Sequence, residues 1–185
     1  MSGRLKLITD AAIEPVTPAD LRSFGRISSE VVDADLIPLI VTARQLAENY
    51  QNRAYVTQTR ELVFDAFPDC PIQIPLPPLI SLVSVVVTDI NGTVTTMTLT
   101  DFVVDTSGAC GQISLKYNKS WPSVIPERAG VVIRFTAGYG AVAELVPGKI
   151  KTALTVGALW LYDHPGEAMT DLFYTLLNDD RVQSV

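Results

Sequence analysis

Between Tyr55 and Ala137 the chain is written in short runs of Val, Ile, Thr and Phe, broken by proline and glycine, and helical stripes stand on either side. Stiff, branched side chains suit a pleated, half-buried surface. A proline removes the backbone donor that a central strand needs. The middle of the chain therefore reads as antiparallel β-structure between two helical ends, an α+β arrangement. Tyr55–Phe67 reads as strand and is closed by Pro68 and Pro71. Ile72-Gln73-Ile74 is at most an edge piece, because Pro75, Pro77 and Pro78 follow it. Leu79–Thr88, LISLVSVVVT, is the strongest strand and is expected to be covered on both faces. Asn91-Gly92 signals a hairpin, since both central positions of a type I′ turn need positive φ. Thr93–Leu99 then returns as its partner. Phe102–Asp105 and Gln112–Tyr117 form another hairpin around Ser107–Gly111, and Val131–Thr136 is the last strand. Tight turns between successive strands predict an antiparallel meander.

The flanks follow a different period. Thr17 is a helix cap, Pro18 suits the first helical position, and Asp20 stands three residues after the cap. This first helix is short, because Ser23, Gly25 and Ser28-Ser29 dilute it. Asp33 is a second cap, and the stripe Leu36, Ile37, Ile40, Ala43, Leu46, Ala47, Tyr50 buries one helical face up to about Asn52-Arg53. Pro147 opens a helix through about Asp163, and Pro165-Gly166 breaks it. Ala168–Leu177 gives a last short helix with Met169, Leu172, Phe173, Leu176 and Leu177 apolar. The expected organisation is one domain spanning 1–185. Within it, 16–53 and 147–177 are helical, 55–137 is a β-insertion, and 1–14 and 178–185 are arms.

Charge narrows the partners. The net charge is −6, and charged residues are 18% of the chain against 48% hydrophobic. Soluble domains typically carry roughly 25% charged residues, so some apolar surface is expected to be hidden, either in a core or in an assembly. Residues 1–60 hold seven basic and seven acidic side chains, 61–146 four and eight, and 147–185 three and five. No segment is a basic patch, which argues against tight binding to a phosphate backbone. An acidic surface near DNA suits passage rather than grip. The start, MSGRLKLITDAAIEP, has no long apolar core before Asp10 and Glu14, so no export signal is expected. No apolar run reaches the ~18 residues of a membrane span. Without an export signal, Cys70 and Cys110 are expected as free thiols.

Catalytic chemistry finds little footing. The single histidine, His164, stands at a helix end without the partners of a zinc site, and a capping role suits it better. Gly138-Tyr139-Gly140-Ala141-Val142-Ala143 has the outline of a dinucleotide fingerprint. That motif needs a helix to begin inside it, and Val146-Pro147-Gly148 intervenes. Asp65, Asp69, Asp89, Asp101 and Asp105 sit at predicted strand ends and turns, where Asp serves local hydrogen bonds. No catalytic, cofactor-binding or metal-binding residue is assigned, and no cofactor is expected. Trp121, on a proline-flanked loop, is either folded onto the sheet or a contact anchor. Arg134, inside the last strand, either pairs within the sheet or faces a neighbour.

Taken in order, four pieces resemble the head–tail connector (adaptor, or head-completion) family of long-tailed bacteriophages and prophages. The first is Val16-Thr17-Pro18-Ala19-Asp20-Leu21. The second runs from Asp35-Leu36-Ile37 through Ala43-Arg44 and Ala47-Glu48-Asn49-Tyr50 to Arg53-Ala54 and Thr57-Gln58-Thr59. The third is Ile74-Pro75-Leu76-Pro77-Pro78-Leu79 with Ser84-Val85. The fourth begins at Lys119-Ser120-Trp121-Pro122, continues in Val132 and Arg134–Gly140, and closes with Pro147 and Ile150-Lys151. The resemblance spans roughly 16–177 and fits the extended version of the family, with a β-insertion between helices. It implies a structural virion protein and not an enzyme. Such subunits form a ring beneath the portal, typically a dodecamer, which extends the DNA channel and carries later neck or tail proteins. The implied partners are further copies of the chain, the portal, a downstream neck or tail protein, and DNA passing through without sequence-specific binding; no membrane is involved. The implied location is the virion's head–tail connector, assembled in the host bacterial cytoplasm. Interface candidates are Trp121, Arg134, Trp160, Leu172 and Phe173, and the segment 168–185 is the candidate for docking on the portal. The competing readings are a tail-completion or tail-terminator protein and, from another class, a ligand-binding or enzymatic α+β domain using the acidic strand ends.

Overall fold

Three chain crossings, after Asp10, Val56 and Gly138, divide residues 3–182, the span described by the computed structural model, into a β unit and a helical unit. The β unit takes the described residues up to Asp10 and Thr57–Gly138. The helical unit takes Ala11–Val56 and the described residues from Tyr139 on.

Eight strands build the β unit: β1 (Arg4–Thr9), β2 (Gln58–Phe64), β3 (Ile72–Gln73), β4 (Leu79–Asp89), β5 (Val94–Thr96), β6 (Phe102–Asp105), β7 (Gln112–Leu115) and β8 (Pro126–Ala137). They form a five-stranded sheet in the order β1-β2-β8-β4-β5 and a three-stranded sheet in the order β3-β7-β6. All pairings are antiparallel, as the α+β reading expects. The order is not a simple meander, however. β8, last in sequence, runs between β2 and β4, because its alternation of Val131, Ile133, Phe135 and Ala137 is the most apolar inward row available and belongs at the centre. The β-structure is also not wholly an insertion. Residues 4–9, expected as part of an arm, form β1 on the edge beside β2, with Arg4 opposite Val63 and Lys6 opposite Glu61. The segment RLKLIT carries a two-residue alternation too short to stand out without its partner.

Strand β4 departs from expectation in another way. Leu79, Val85 and Val87 are buried, but the opposite face is open. The pairing with β8 slips between Leu79 and Ser81 and again between Leu82 and Ser84. Each slip is a bulge that sets an extra residue against one partner, and the extra residues are Ile80 and Val83. A continuous apolar run therefore came from two bulges and not from two covered faces. The Asn91-Gly92 hairpin exists, but Gly92 alone takes positive φ, 80°. Its N–H donates to the Asp89 carbonyl at 2.9 Å, and Asp89 Oδ1 accepts from the Asn91 and Thr93 N–H groups at 2.8 Å each. The loop is thus a turn closed by a left-handed glycine, not a type I′ pair.

In the helical unit α1 (Pro18–Gly25) starts on the expected capping box. The Asp20 N–H donates to Thr17 Oγ1 at 3.1 Å, and the Thr17 N–H donates to Asp20 Oδ2 at 2.9 Å. Helix α2 (Asp33–Gln51) is capped by Val32, so Asp33 moves into the first turn, where its charge favours the helix dipole. Helix α3 (Gly148–Asp163) follows Pro147, and α4 (Asp171–Leu177) is shorter than the sequence suggested. Leu21, Leu36, Ile40, Ala43, Ala47, Ile150, Leu154, Ala158, Phe173 and Leu177 form the core. Gly157 admits the Phe173 ring against α3, since a Cβ there would lie 2.7 Å from it.

A polar ladder runs up the inner face of α2. Arg44 is 2% exposed. Its Nε donates to Glu14 at 2.8 Å and its Nη1 to Glu48 at 2.9 Å. Glu48 also accepts the Tyr55 N–H at 2.8 Å, and the Tyr55 hydroxyl donates to Gln51 Oε1 at 2.7 Å. Residues 178–182, expected in an arm, lie across the end of α2. The Val182 N–H donates to the Gln51 carbonyl at 2.9 Å, Asn52 Nδ2 to the Val182 carbonyl at 2.8 Å and Arg53 Nε to the Asp180 carbonyl at 2.6 Å. Helix ends leave carbonyls without partners, and the tail supplies a donor here. Residues 183–185 of the expected arm lie outside the described residues.

Candidate interaction surfaces

The acidic strand ends resolve into local devices. Asp89 closes its turn, Asp105 accepts from the Ser107 N–H and hydroxyl at 2.8 and 2.6 Å, and Asp101 pairs with Lys119 at 2.8 Å. Asp65 holds Arg4 at 2.7 Å and the Ala129 N–H at 2.8 Å. These hydrogen bonds to the charged form hold the carboxyls of Asp89, Asp105 and Asp65 below the ordinary aspartate range. Each is engaged by its own turn or strand neighbour. Among the described residues no three His, Cys, Asp or Glu side chains gather as a metal would need. The glycine outline at 138–143 leads into a 3-10 turn, Ala143–Leu145, and Leu145 packs over Gly140; the helix starts only at Gly148. His164 is the residue that ends α3. Its N–H donates to the Trp160 carbonyl at 2.9 Å and its ring stacks on Trp160 at 3.9 Å.

The residues singled out from sequence fall in different settings. Trp121 turns inward, stacked on Phe67 at 5.1 Å and tilted against Phe102 at 6.0 Å. Arg134 pairs across the ladder with Glu61 of β2, at 3.0 and 2.5 Å, with its side chain still 43% exposed. Trp160 is half-buried, and its Nε1 donates to the Ala168 carbonyl at 2.9 Å. Leu172 points outward, 54% exposed. Phe173, one residue on, is 0% exposed, so it is a core residue with no surface to offer a partner. A short amphipathic helix presents adjacent residues in different directions, and the sequence pattern alone did not say which of the two faced in.

Two surfaces emerge that single residues did not announce. The first is the open face of the five-stranded sheet. In register across β2, β8 and β4 lie Val63, Val132 and Val86, beside the row Lys6, Glu61, Arg134, Ser84. The bulge residues Ile80 and Val83 stand on β4 next to them, 44% and 41% exposed. The sequence signal was the surplus of aliphatics in LISLVSVVVT. The second surface lies in the helical unit. There Ile13, Val16, Ile37, Ile40 and Val41 line a groove of about 240 Å³, with Glu14 and Pro18 at its rim. From Leu36 to Asn52 the only charged residues of α2 are Arg44 and Glu48, and both are buried. Beyond the first turn its outward residues, among them Ile37, Val41, Gln45 and Leu46, carry no charge. Depletion of charge is what distinguishes the centre of an interface from ordinary surface.

An α+β chain of two units, with a five-stranded antiparallel sheet and a four-helix cluster, is the class these observations define. The same fold occurs in three solved structures, each matching 98% of this chain. The match to a chain of the virion of the native gene transfer agent particle has a TM-score of 0.79 at 21% identity and covers 96% of that chain. Those to chains in the neck of the empty particle, computed with C6 symmetry, and of the native particle, computed with C12 symmetry, also have TM-scores of 0.79. Their identities are 19% and 22%, and each covers 97% of the matched chain. At these identities the likeness establishes a shared fold. No family model and no curated protein matches the chain.

Proposed function

We propose that this chain is a non-enzymatic structural subunit of the neck of a phage-type particle, assembling with its own copies into a ring between portal and tail. The observation that carries the proposal is the end-to-end fold likeness to chains from gene transfer agent particles, two of them from necks computed with cyclic symmetry. The ordered sequence resemblance to head–tail connectors supports it independently. In this reading the two units work as one subunit of a dodecameric design, the ring extends the DNA channel, and a later neck or tail protein docks on it. The acidic balance of the chain suits DNA passing without sequence-specific contact. The segment 168–185, with Leu172 outward, is our choice for the portal contact, and the finished virion is the location.

The test is assembly. The purified protein, alone at high concentration and mixed with portal rings, is examined by native mass spectrometry and electron microscopy. Closed rings of one copy number, or stoichiometric addition to the portal, are expected. A chain that stays monomeric in both settings sinks the proposal, and tight binding of a nucleotide or metal by that monomer favours the ligand-binding alternative.

A further inference from the structure

The end of α2 holds the tail that follows α4 as it would hold an extended peptide. The Val182 N–H donates to the Gln51 carbonyl at 2.9 Å, Asn52 Nδ2 to the Val182 carbonyl at 2.8 Å and Arg53 Nε to the Asp180 carbonyl at 2.6 Å. Lys149 pairs with Asp179, and the Arg181 guanidinium lies over the Tyr50 ring, 4.8 Å from its centroid. Asn178, Asp179, Asp180 and Arg181 nevertheless stay exposed. The apolar anchors before them are Phe173 and Leu177, both 0% exposed. Residues 178–182 can therefore leave α2 without opening the core. Asn52 and Arg53 are partly exposed, so water replaces the tail on their donors and neither is orphaned.

We infer that the tail is a strap, parked on α2 in the free subunit, and that the portal takes only the released form. This rests on the proposed portal contact of 168–185, since residues 178–182 cannot lie on α2 and on the portal at once. Bonds exchanged with water are worth little net, and chain ends held by them open at the low end of a protein's stability range. A released fraction on the order of a few per cent follows. A partner that binds only that fraction sees its apparent affinity lowered by the same factor, and loosening the strap restores it. A subunit with its strap closed thus stays off the portal.

A reversible lock tests the strap. In a background carrying Cys70→Ser and Cys110→Ser, Asn52→Cys with Val182→Cys ties the tail to α2 on mild oxidation, and reduction frees it. Addition to portal rings is followed by native mass spectrometry and sedimentation. The oxidised protein is expected to add more weakly than the same protein reduced, by about tenfold or more. Asn52→Gly keeps the left-handed cap of α2, φ 53°, but removes one bond to the tail. It is expected to raise portal affinity about fivefold, because the released fraction grows by the worth of that bond. A residue that merely stabilises the fold would not strengthen binding when it is removed. Equal addition by the oxidised and reduced forms, or Asn52→Gly binding no better than wild type, overturns the strap and leaves the ring standing. Failure of the Asn52→Cys/Val182→Cys pair to cross-link means that the tail is not parked on α2, and overturns it too. A wild-type chain that adds to no portal ring overturns the portal contact and this inference with it.

Discussion

Replacing Arg44 by methionine removes a cation that Glu14 and Glu48 of the helical unit share. Arg44 is 2% exposed and Glu48 is itself buried, while Glu14 retains some exposure. Breaking a buried pair from one side costs about 3–5 kcal/mol, because the partner charge stays buried without compensation. Two features place this case near the lower end. Glu14 sits partly in solvent and recovers hydration, and Glu48 keeps the Tyr55 N–H. Methionine also fills much of the vacated stem volume. The expected loss is about 3 kcal/mol, or roughly 6–12 °C in the melting of a chain this size. The assay is a thermal melt by circular dichroism at 222 nm, supported by amide exchange, in which Glu14 and its neighbours and the end of α2 should lose protection first. A variant that melts within about 2 °C of wild type, with protection at Glu14 intact, refutes the reasoning. It would mean that the triad is hydrated in solution and that the ladder contributes no more than a surface pair.

Three further outcomes follow from the same structure. Deleting the chain from Asn178 onward removes the bonds to the Gln51 carbonyl, Asn52 and Arg53; a loss of about 2 kcal/mol is expected, measurable by urea unfolding. Any test of portal docking by this deletion therefore needs the stability of the truncated chain as a control. Gly130→Ala sets a Cβ 2.4 Å from the Thr88 carbonyl oxygen and 2.6 Å from that of Glu127. Backbone atoms cannot swing aside, so about 2 kcal/mol is lost, with exchange rising first at the β4–β8 end of the sheet. Tyr55 is pushed far above the ordinary tyrosine range by burial, with Glu48 adding to it. Folding then favours the neutral phenol: its contribution is full below about pH 10 and fades as pH rises further. Tyr55→Phe is less stable than wild type near neutrality, having lost the bond to Gln51, and the gap should narrow between pH 9 and 12 in thermal melts. A constant gap across that range contradicts the assignment.

Local chemistry was enough to place several elements. Thr17, Pro18 and Asp20 announce α1 because a capping box needs only four adjacent residues. The period of Leu36, Ile40, Ala43 and Ala47 sets the buried face of α2 for the same reason, the signal repeating within one element, although Ile37 and Leu46 of the same expected stripe face outward. Elements whose stability comes from a distant partner were not legible. Strand β1 has six exposed residues and exists because β2 offers it a ladder. The 178–182 segment is polar, and it is ordered at the end of α2 through the Gln51 carbonyl, which the helix end leaves open, and through donors from the Asn52 and Arg53 side chains.

The sequence by itself determined the class of this protein: helical flanks, an antiparallel β-rich middle, and carboxylates that serve its turns. Each of these rests on interactions within a few residues. Only the tertiary structure decided the strand order, with β8 at the centre, and that the aliphatics of β4 are divided by two bulges between a core and an open face. It also turned Phe173 inward and Leu172 outward. Those choices depend on which side chain finds space and which backbone finds a partner across the sheet or the bundle. Such long-range complementarity is written in no single stretch of the chain.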